Sequence, residues 1–352
     1  AADPVRVVRQ GLDVQAAARV WHARGPRYPL LAEELLVELN SVLPDGLRRL
    51  EELRKGLLTS SFASECTDVL LWLASRLERD HPARPWAAQK LEELRQAVGR
   101  ETINWHYWDR RVTRPALGLP PGRESADGPY TVGAWTVEPV GEHDSGTWAP
   151  SLVTDWEAEE LRLTALGPQA AYMLDLVPLI RGRYDAVVAD LREPGTGYGQ
   201  DPLVSAPQVV SEVVSGLGLG ADSARYWLQL LTLHDPTDRH VARWNGWRRA
   251  ERLAAAGPLL ERGLVVQAKR TRAGRSCFLP GGWMGATAPH LPVEAWKAPL
   301  YDLRDEPRVR PRHSAVLPLE PLGQLFAAAW ERYRSGDRPG YTEPDRRPRR
   351  RS

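Results

Sequence analysis

Apolar residues recur at helical spacing through the first hundred positions of the chain. Leu30, Leu31, Leu35, Leu36 and Leu39 form one stripe, which Pro44-Asp45-Gly46 breaks. Leu47, Leu50, Leu53, Leu57 and Leu58 form a second. Val69, Leu70, Leu73 and Leu77 form a third, ended by His81-Pro82, and Pro85 opens a fourth through Leu91, Leu94 and Val98 with Gly99 as its stop. Leucine stripes of this kind face a core. Thr102 to Arg114 carries Trp105, His106, Tyr107 and Trp108. These aromatic residues read as an anchor against the helices, with stacking on bases as the other use of aromatics beside arginine. A linker is expected over 119–129.

From Tyr130 to Asp155 the pattern alternates. Thr131, Val132, Trp135, Val137 and Val140 fit strands, His143-Asp144-Ser145-Gly146 fits a hairpin turn, and 148–153 fits a return strand. Helices are expected over 155–166 and 169–179. Asp155, Glu157, Glu159 and Glu160 make an acidic start that complements the helix dipole. A loop covers 195–200. Gly216-Leu217-Gly218-Leu219-Gly220 separates a helix over 206–215 from the next one. No strand leads into it and no Lys-Ser/Thr follows, so it is not a nucleotide loop.

Asp222 then caps a helix over 223–233 with Trp227, Leu230, Leu231 and Leu233 as its apolar side. Asp235-Pro236-Thr237-Asp238 reads as a turn and a new N-cap, a short helix covers 239–244, and Asn245-Gly246 is a tight turn. Trp247 begins a third helix. Trp247, Ala250, Leu253 and Ala254 share one of its faces, Arg248, Arg249 and Arg252 lie on the others, and Arg248 and Arg252 are one turn apart. Gly257-Pro258 should kink or split this helix, because an interior proline costs roughly 3 kcal/mol. Gly263 stops it. Leu264-Val265-Val266 enters a sheet, and Thr271-Arg272-Ala273-Gly274 closes a hairpin whose arms end at Ala268 and Ser276. Lys269, Arg270, Arg272 and Arg275 give that hairpin four positive charges, which it must hold in water or against an anion.

Residues 222–283 resemble the winged helix-turn-helix family, in the manner of MarR-like bacterial regulators. Val241-Ala242-Arg243-Trp244-Asn245-Gly246-Trp247 carries the likeness at the turn, and Leu260-Glu261-Arg262-Gly263-Leu264-Val265 with 270–279 carries it at the wing. Asp235-Pro236-Thr237-Asp238-Arg239, Gln267-Ala268-Lys269-Arg270 and Phe278-Leu279-Pro280-Gly281-Gly282-Trp283 are similar to the C-terminal part of large actinobacterial proteins. Similar proteins occur with MoxR-type ATPase and von Willebrand A-type partners. The resemblance covers 200–335 and implies double-stranded DNA as the partner. The residues it assigns to nucleic acid are Arg243, Arg248, Arg249, Arg252, Lys269, Arg270, Arg272 and Arg275. Two departures, Gly257-Pro258 and the bulk of Trp244 and Trp247 beside the turn, favour docking onto protein instead.

Charge adds to this picture only once it is mapped. The whole chain carries 47 basic and 45 acidic residues, a net +2. Residues 222–283 hold eleven basic against five acidic, or +6, and 346–352 add +5. The remainder, 31 basic against 40 acidic, stands at −9. A local positive field, not the sum, attracts phosphate. With 42% hydrophobic and 26% charged residues the composition is that of a folded protein, and no run is apolar enough to span a bilayer. Two cysteines, Cys66 and Cys277, cannot build a thiolate zinc site or a disulfide framework, which fits a reducing cytoplasm. The chain opens on Ala and not Met, so a piece of a longer protein or a processed product is expected. Eight histidines are scattered without metal or hydrolase spacing, and His143-Asp144-Ser145 are sequence neighbours where a triad meets in space. No enzyme activity, cofactor or metal is expected.

The expected fold is mainly α with small β elements. A helical domain covers 1–115, a mixed α/β region 116–205, and the winged helix 206–285. An extension over 286–335 wraps the core and ends in a helix with Leu325, Phe326, Ala329 and Trp330 inward, before a disordered basic tail over 336–352. Two functions follow: a DNA-binding module, regulatory or defence-related, and a protein-interaction scaffold of an ATPase-associated system.

Overall fold

Two helices buried on nearly every side organise the chain. In the computed structural model, which describes residues 31–43, 60–119, 129–285, 291–303 and 315–340, these are α2 and α10. The structure is mainly helical with small antiparallel sheets. None of the helices among the described residues is long and apolar enough to cross a membrane.

The first core begins with α1 (Glu33–Val42), α2 (Ser60–Arg76) and α3 (Ala83–Arg100). Leu35, Leu39, Leu70, Leu73, Leu91, Leu94 and Val98 all point inward, so the leucine stripes are core. The second stripe, 47–58, lies outside the described residues. Helix α3 runs past Gly99 to Arg100, where the backbone turns extended at Glu101. Strand β1 (Ile103–Asp109) follows, where the aromatic run gave no strand signal, and Asp109 caps the short α4 (Arg110–Ala116). The expected linker falls mostly outside the described residues.

Strands β2 (Tyr130–Val132), β3 (Trp135–Val140) and β4 (His143–Trp148) complete an antiparallel sheet of order β1-β4-β3-β2. The turn expected at His143-Asp144-Ser145-Gly146 is instead the paired strand β4, and the chain reverses at Gly141-Glu142. The cause is long-range. Asp144 is fully buried between Arg110 (3.2 Å) and Arg114 (3.3 Å), so its local preference for a turn is overridden by two guanidinium groups from α4. The expected return strand over 148–153 is correspondingly shifted, and 150–152 form a 3-10 turn.

One face of the sheet is an indole stack. Trp105 and Trp108 lie 4.5 Å apart between centroids, and Trp135 and Trp148 5.9 Å apart. Glu159, on α5 (Trp156–Ala165), accepts hydrogen bonds from both the Trp135 (2.7 Å) and Trp148 (2.9 Å) indoles. Gly146 makes this possible: a Cβ there would overlap the Thr136 carbonyl oxygen and stand 2.9 Å from the Trp105 ring. Asp155 caps α5 by accepting from the Glu157 and Ala158 amides. Helices α6 (Ala171–Ile180) and α7 (Asp185–Arg192) close the first core, so the expected helical and mixed regions share a single interior.

The second core surrounds α10 (Ala221–Thr232), where every residue from Ser223 to Thr232 is buried. Helices α8 (Pro202–Ser205) and α9 (Pro207–Leu217) precede it. Then come α11 (Asp238–Asn245), α12 (Arg249–Glu261), the pair β5 (Val266–Gln267) and β6 (Cys277–Phe278), and a second pair, β7 (Trp283–Met284) and β8 (Val293–Glu294). The helix expected over 223–233 starts earlier, with Gly220 and not Asp222 at the N-cap. Thr237 caps α11 through its hydroxyl, which accepts from the His240 amide at 3.1 Å. Both cysteines are buried and neither forms a disulfide.

A 3-10 segment (Ala295–Tyr301) and α13 (Leu322–Arg334) wrap this core, with Leu325, Phe326, Ala329 and Trp330 inward as expected. Between them the extended residues 315–319 alternate. Ala315, Leu317 and Leu319 enter the first core and Val316 the second. The two cores also meet at Arg76, whose guanidinium holds Asp235 at 2.5 Å, and at Gln200, which bonds to the Ser75 carbonyl and accepts from Gln229 through its own. Of the expected tail, 341–352 lie outside the described residues.

Candidate nucleic-acid interface

Helix α12 turns a different face inward from the one its sequence suggests. Arg252, Ala255, Ala256 and Leu259 are buried, while Ala250, Leu253 and Ala254 are exposed. The expected apolar side is therefore the solvent side. Two local facts set the rotation. Trp247 stays outside the helix, where its ring meets Tyr226 edge-on at 6.3 Å and carries Arg225 over it at 5.0 Å. Asp238 then draws Arg252 inside at 2.9 Å. Arg248 and Arg252 do not point the same way: the first side chain is 90% exposed and the second 8%. Nor does Gly257-Pro258 split the helix, which is continuous from Arg249 to Glu261. Pro258 falls in its last turns, after the buried contacts of Ala255 and Ala256 have fixed the path.

Asp238 is the joint of this region. It opens α11, its amide donates to the Gly274 carbonyl at 2.9 Å, and its carboxylate faces Arg252 of α12. Burial pushes its carboxyl up, against the opposing pull of Arg252 and Arg275. The hairpin tip is thereby seated on the N-terminus of α11. Gly274 is required there twice over, since its φ is +66° and a Cβ would stand 2.9 Å from the Thr237 methyl.

The hairpin charges separate into two sets. Lys269 and Arg272 are exposed, Arg272 in the left-handed conformation at φ 63°. Arg275 is fully buried, bonded to Glu294 at 2.7 Å. Lys297, also fully buried, lies 3.0 Å from the same carboxylate and donates to the Leu233 carbonyl at 2.6 Å. Burial lowers the Lys297 ammonium to about 8 even with Glu294 beside it. Arg270 and Arg275 flank the Phe278 and Trp283 rings, Arg270 with its guanidinium 4.6 Å from the Trp283 centroid, so Arg270 is held half-buried at the hairpin's side.

On the helices, Arg248 caps α12 and Arg249 is its first residue, both exposed. The Arg248 amide donates to the Glu251 carboxylate at 2.6 Å. Arg243 lies on the exposed side of α11, bonded to the Tyr198 hydroxyl at 2.9 Å. Of the eight residues that the sequence suggests, Arg248, Arg249, Lys269 and Arg272 are thus exposed, Arg243 and Arg270 are held at the surface by aromatic rings, and Arg252 and Arg275 serve the interior. Arg239, exposed in the first turn of the capped α11, and Arg262, exposed at the C-terminal end of α12, are cations that the sequence reading left out of this set.

Beneath α11 lies a second charged group. Glu38, Asp235 and His240 bring one ligand-type atom each within 4.8 Å of one another, but the Arg76 guanidinium already stands between the two carboxylates, 3.4 Å from Glu38 and 2.5 Å from Asp235. Burial alone would raise the Asp235 carboxyl, yet Arg76, His234 and His240 hold it well below the usual range. Burial lowers His234 to about 4, whereas Asp235 raises His240 against its own burial. This is a latch between the two cores, with arginine as its cation.

No known family, curated protein or solved structure matches the chain.

Proposed function

We propose that this chain is a double-stranded DNA-binding module of the winged-helix type, in which α10, α11 and α12 form the helical part and the β5–β6 hairpin the wing. One observation carries the reading: Asp238 fastens the hairpin tip and the start of α12 to the same helix end, so that Arg248 and Arg249 on one element and Lys269 and Arg272 on the other are exposed around a single joint. Clustered cations on a rigid frame attract the phosphate backbone, and each contact made releases a condensed counterion.

The test is a duplex titration at several salt concentrations. Four to six phosphate contacts give a slope of log K against log salt of about −4 to −5. The double variant K269E/R272E should weaken binding at least tenfold. Salt-independent binding, or affinity untouched by that charge reversal, would overturn the reading.

A further inference from the structure

The face that α12 offers to solvent has cations at its start and almost nothing that hydrogen-bonds along its middle. Arg248 and Arg249 stand at the first turn, followed outward by Ala250, Leu253 and Ala254, which are exposed, and by the half-buried Gly257. Past that first turn, the polar side chains that a groove-reading helix would lay against base edges are turned to other work. Arg252 is buried against Asp238, and Glu251 accepts from the Arg248 amide at 2.6 Å. Beyond the middle, Glu261 is exposed at the C-terminal end, where a carboxylate repels phosphate.

Reading a base pair in the major groove takes a side-chain donor and acceptor in a fixed fork, as arginine gives guanine or asparagine gives adenine, and each such pair discriminates on the order of tenfold to a hundredfold. Alanine and leucine can touch a thymine methyl group and no more. The hairpin tip adds Lys269, Thr271 and Arg272, two of them cations suited to phosphate.

Resting on the duplex-binding reading above, we infer that the ligand of this surface is the duplex backbone itself, bound with little regard to base sequence. The carrying juxtaposition is an apolar outward face on α12, centred on Leu253 (49% exposed), that follows directly on the exposed Arg248-Arg249 pair at the start of the same helix. Affinity then comes from phosphates, and sequence enters only through methyl contacts and through the shape of the groove. The negative charge of DNA, not a base pattern, is complementary to what the surface displays.

The experiment uses the full chain in two arms: selection from a random duplex pool, and titration against a panel of 20-base-pair duplexes of differing composition at low and moderate salt. The expected result is no enriched motif and affinities within about tenfold across the panel. Arg249→Ala should weaken every duplex by the same factor and make the salt slope shallower by about 1. An enriched motif, a spread of a hundredfold, or a loss on Arg249→Ala confined to particular sequences would overturn sequence indifference while leaving duplex binding intact. No binding to any duplex at low salt would remove the duplex reading, and this inference with it.

Discussion

Asp238 and Arg252 face each other at 2.9 Å across the angle between α11 and α12, and their pairing determines which side of α12 meets solvent. An arginine that is buried without its carboxylate has no favourable place to put its charge. Asp238→Ala should therefore lower stability by about 1–3 kcal/mol, below the full value for a buried pair because the aspartate keeps some contact with water. Arg249→Ala, one turn away and exposed, should stay within about 0.5 kcal/mol of the parent. Urea unfolding of the two variants checks both.

The hairpin should show the same division between surface and interior. Lys269 and Arg272 are exposed, whereas Arg275 is bonded to Glu294 inside. The K269E/R272E variant should fold with an unchanged Tm and lose duplex affinity. Arg275→Glu should put two carboxylates together in the interior, next to Lys297, and yield protein that unfolds early or collects in inclusion bodies. Thermal melts beside the binding titration distinguish the two outcomes.

His234 should dominate the acid limb of stability. Its imidazole lies 3.5 Å from Asp235 and against the Tyr301 ring, with Arg76, Lys297 and His240 also facing it, and burial lowers it to about 4. A base that is harder to protonate folded than unfolded takes up protons preferentially in the unfolded chain. Stability is then complete above about pH 6.5 and declines as the pH falls toward 4, by roughly 3 kcal/mol. His234→Gln should flatten that decline. His240, raised by Asp235, acts in the opposite sense. Its contribution is present below about pH 6.5 and fades as the pH rises through its raised value, so His240→Gln should remove a loss on the alkaline side. Urea midpoints measured from pH 4 to 9 check both signs.

Gly146 should tolerate nothing larger. Its place beside the Thr136 carbonyl and the Trp105 ring leaves no room for a methyl group. Gly146→Ala should separate β3 from β4 and disturb the indole stack, with a loss of about 2 kcal/mol or more. Tryptophan fluorescence and a melt would show it. Gly99→Ala, on an open helix face, is the control and should be neutral or stabilising.

The sequence by itself determined the helical class, the inward leucines of α2 and α3, the cap at Asp155, the inward side of α13 and the order of three helices and a hairpin after Gly220. All of these rest on periodicity or on chemistry within a few residues, where near neighbours decide the outcome. Tertiary structure alone decided the rest. Asp144 became a strand residue because Arg110 and Arg114 reach it from α4, and Trp105 joined a strand because a glycine forty-one positions on makes room for its ring. Arg252 and Arg275 look like their exposed neighbours in the sequence, yet carboxylates from α11 and β8 take them inside. A cationic side chain has the same charge in water and in a buried pair, so its partner decides where it lies, and only the folded chain brings that partner close.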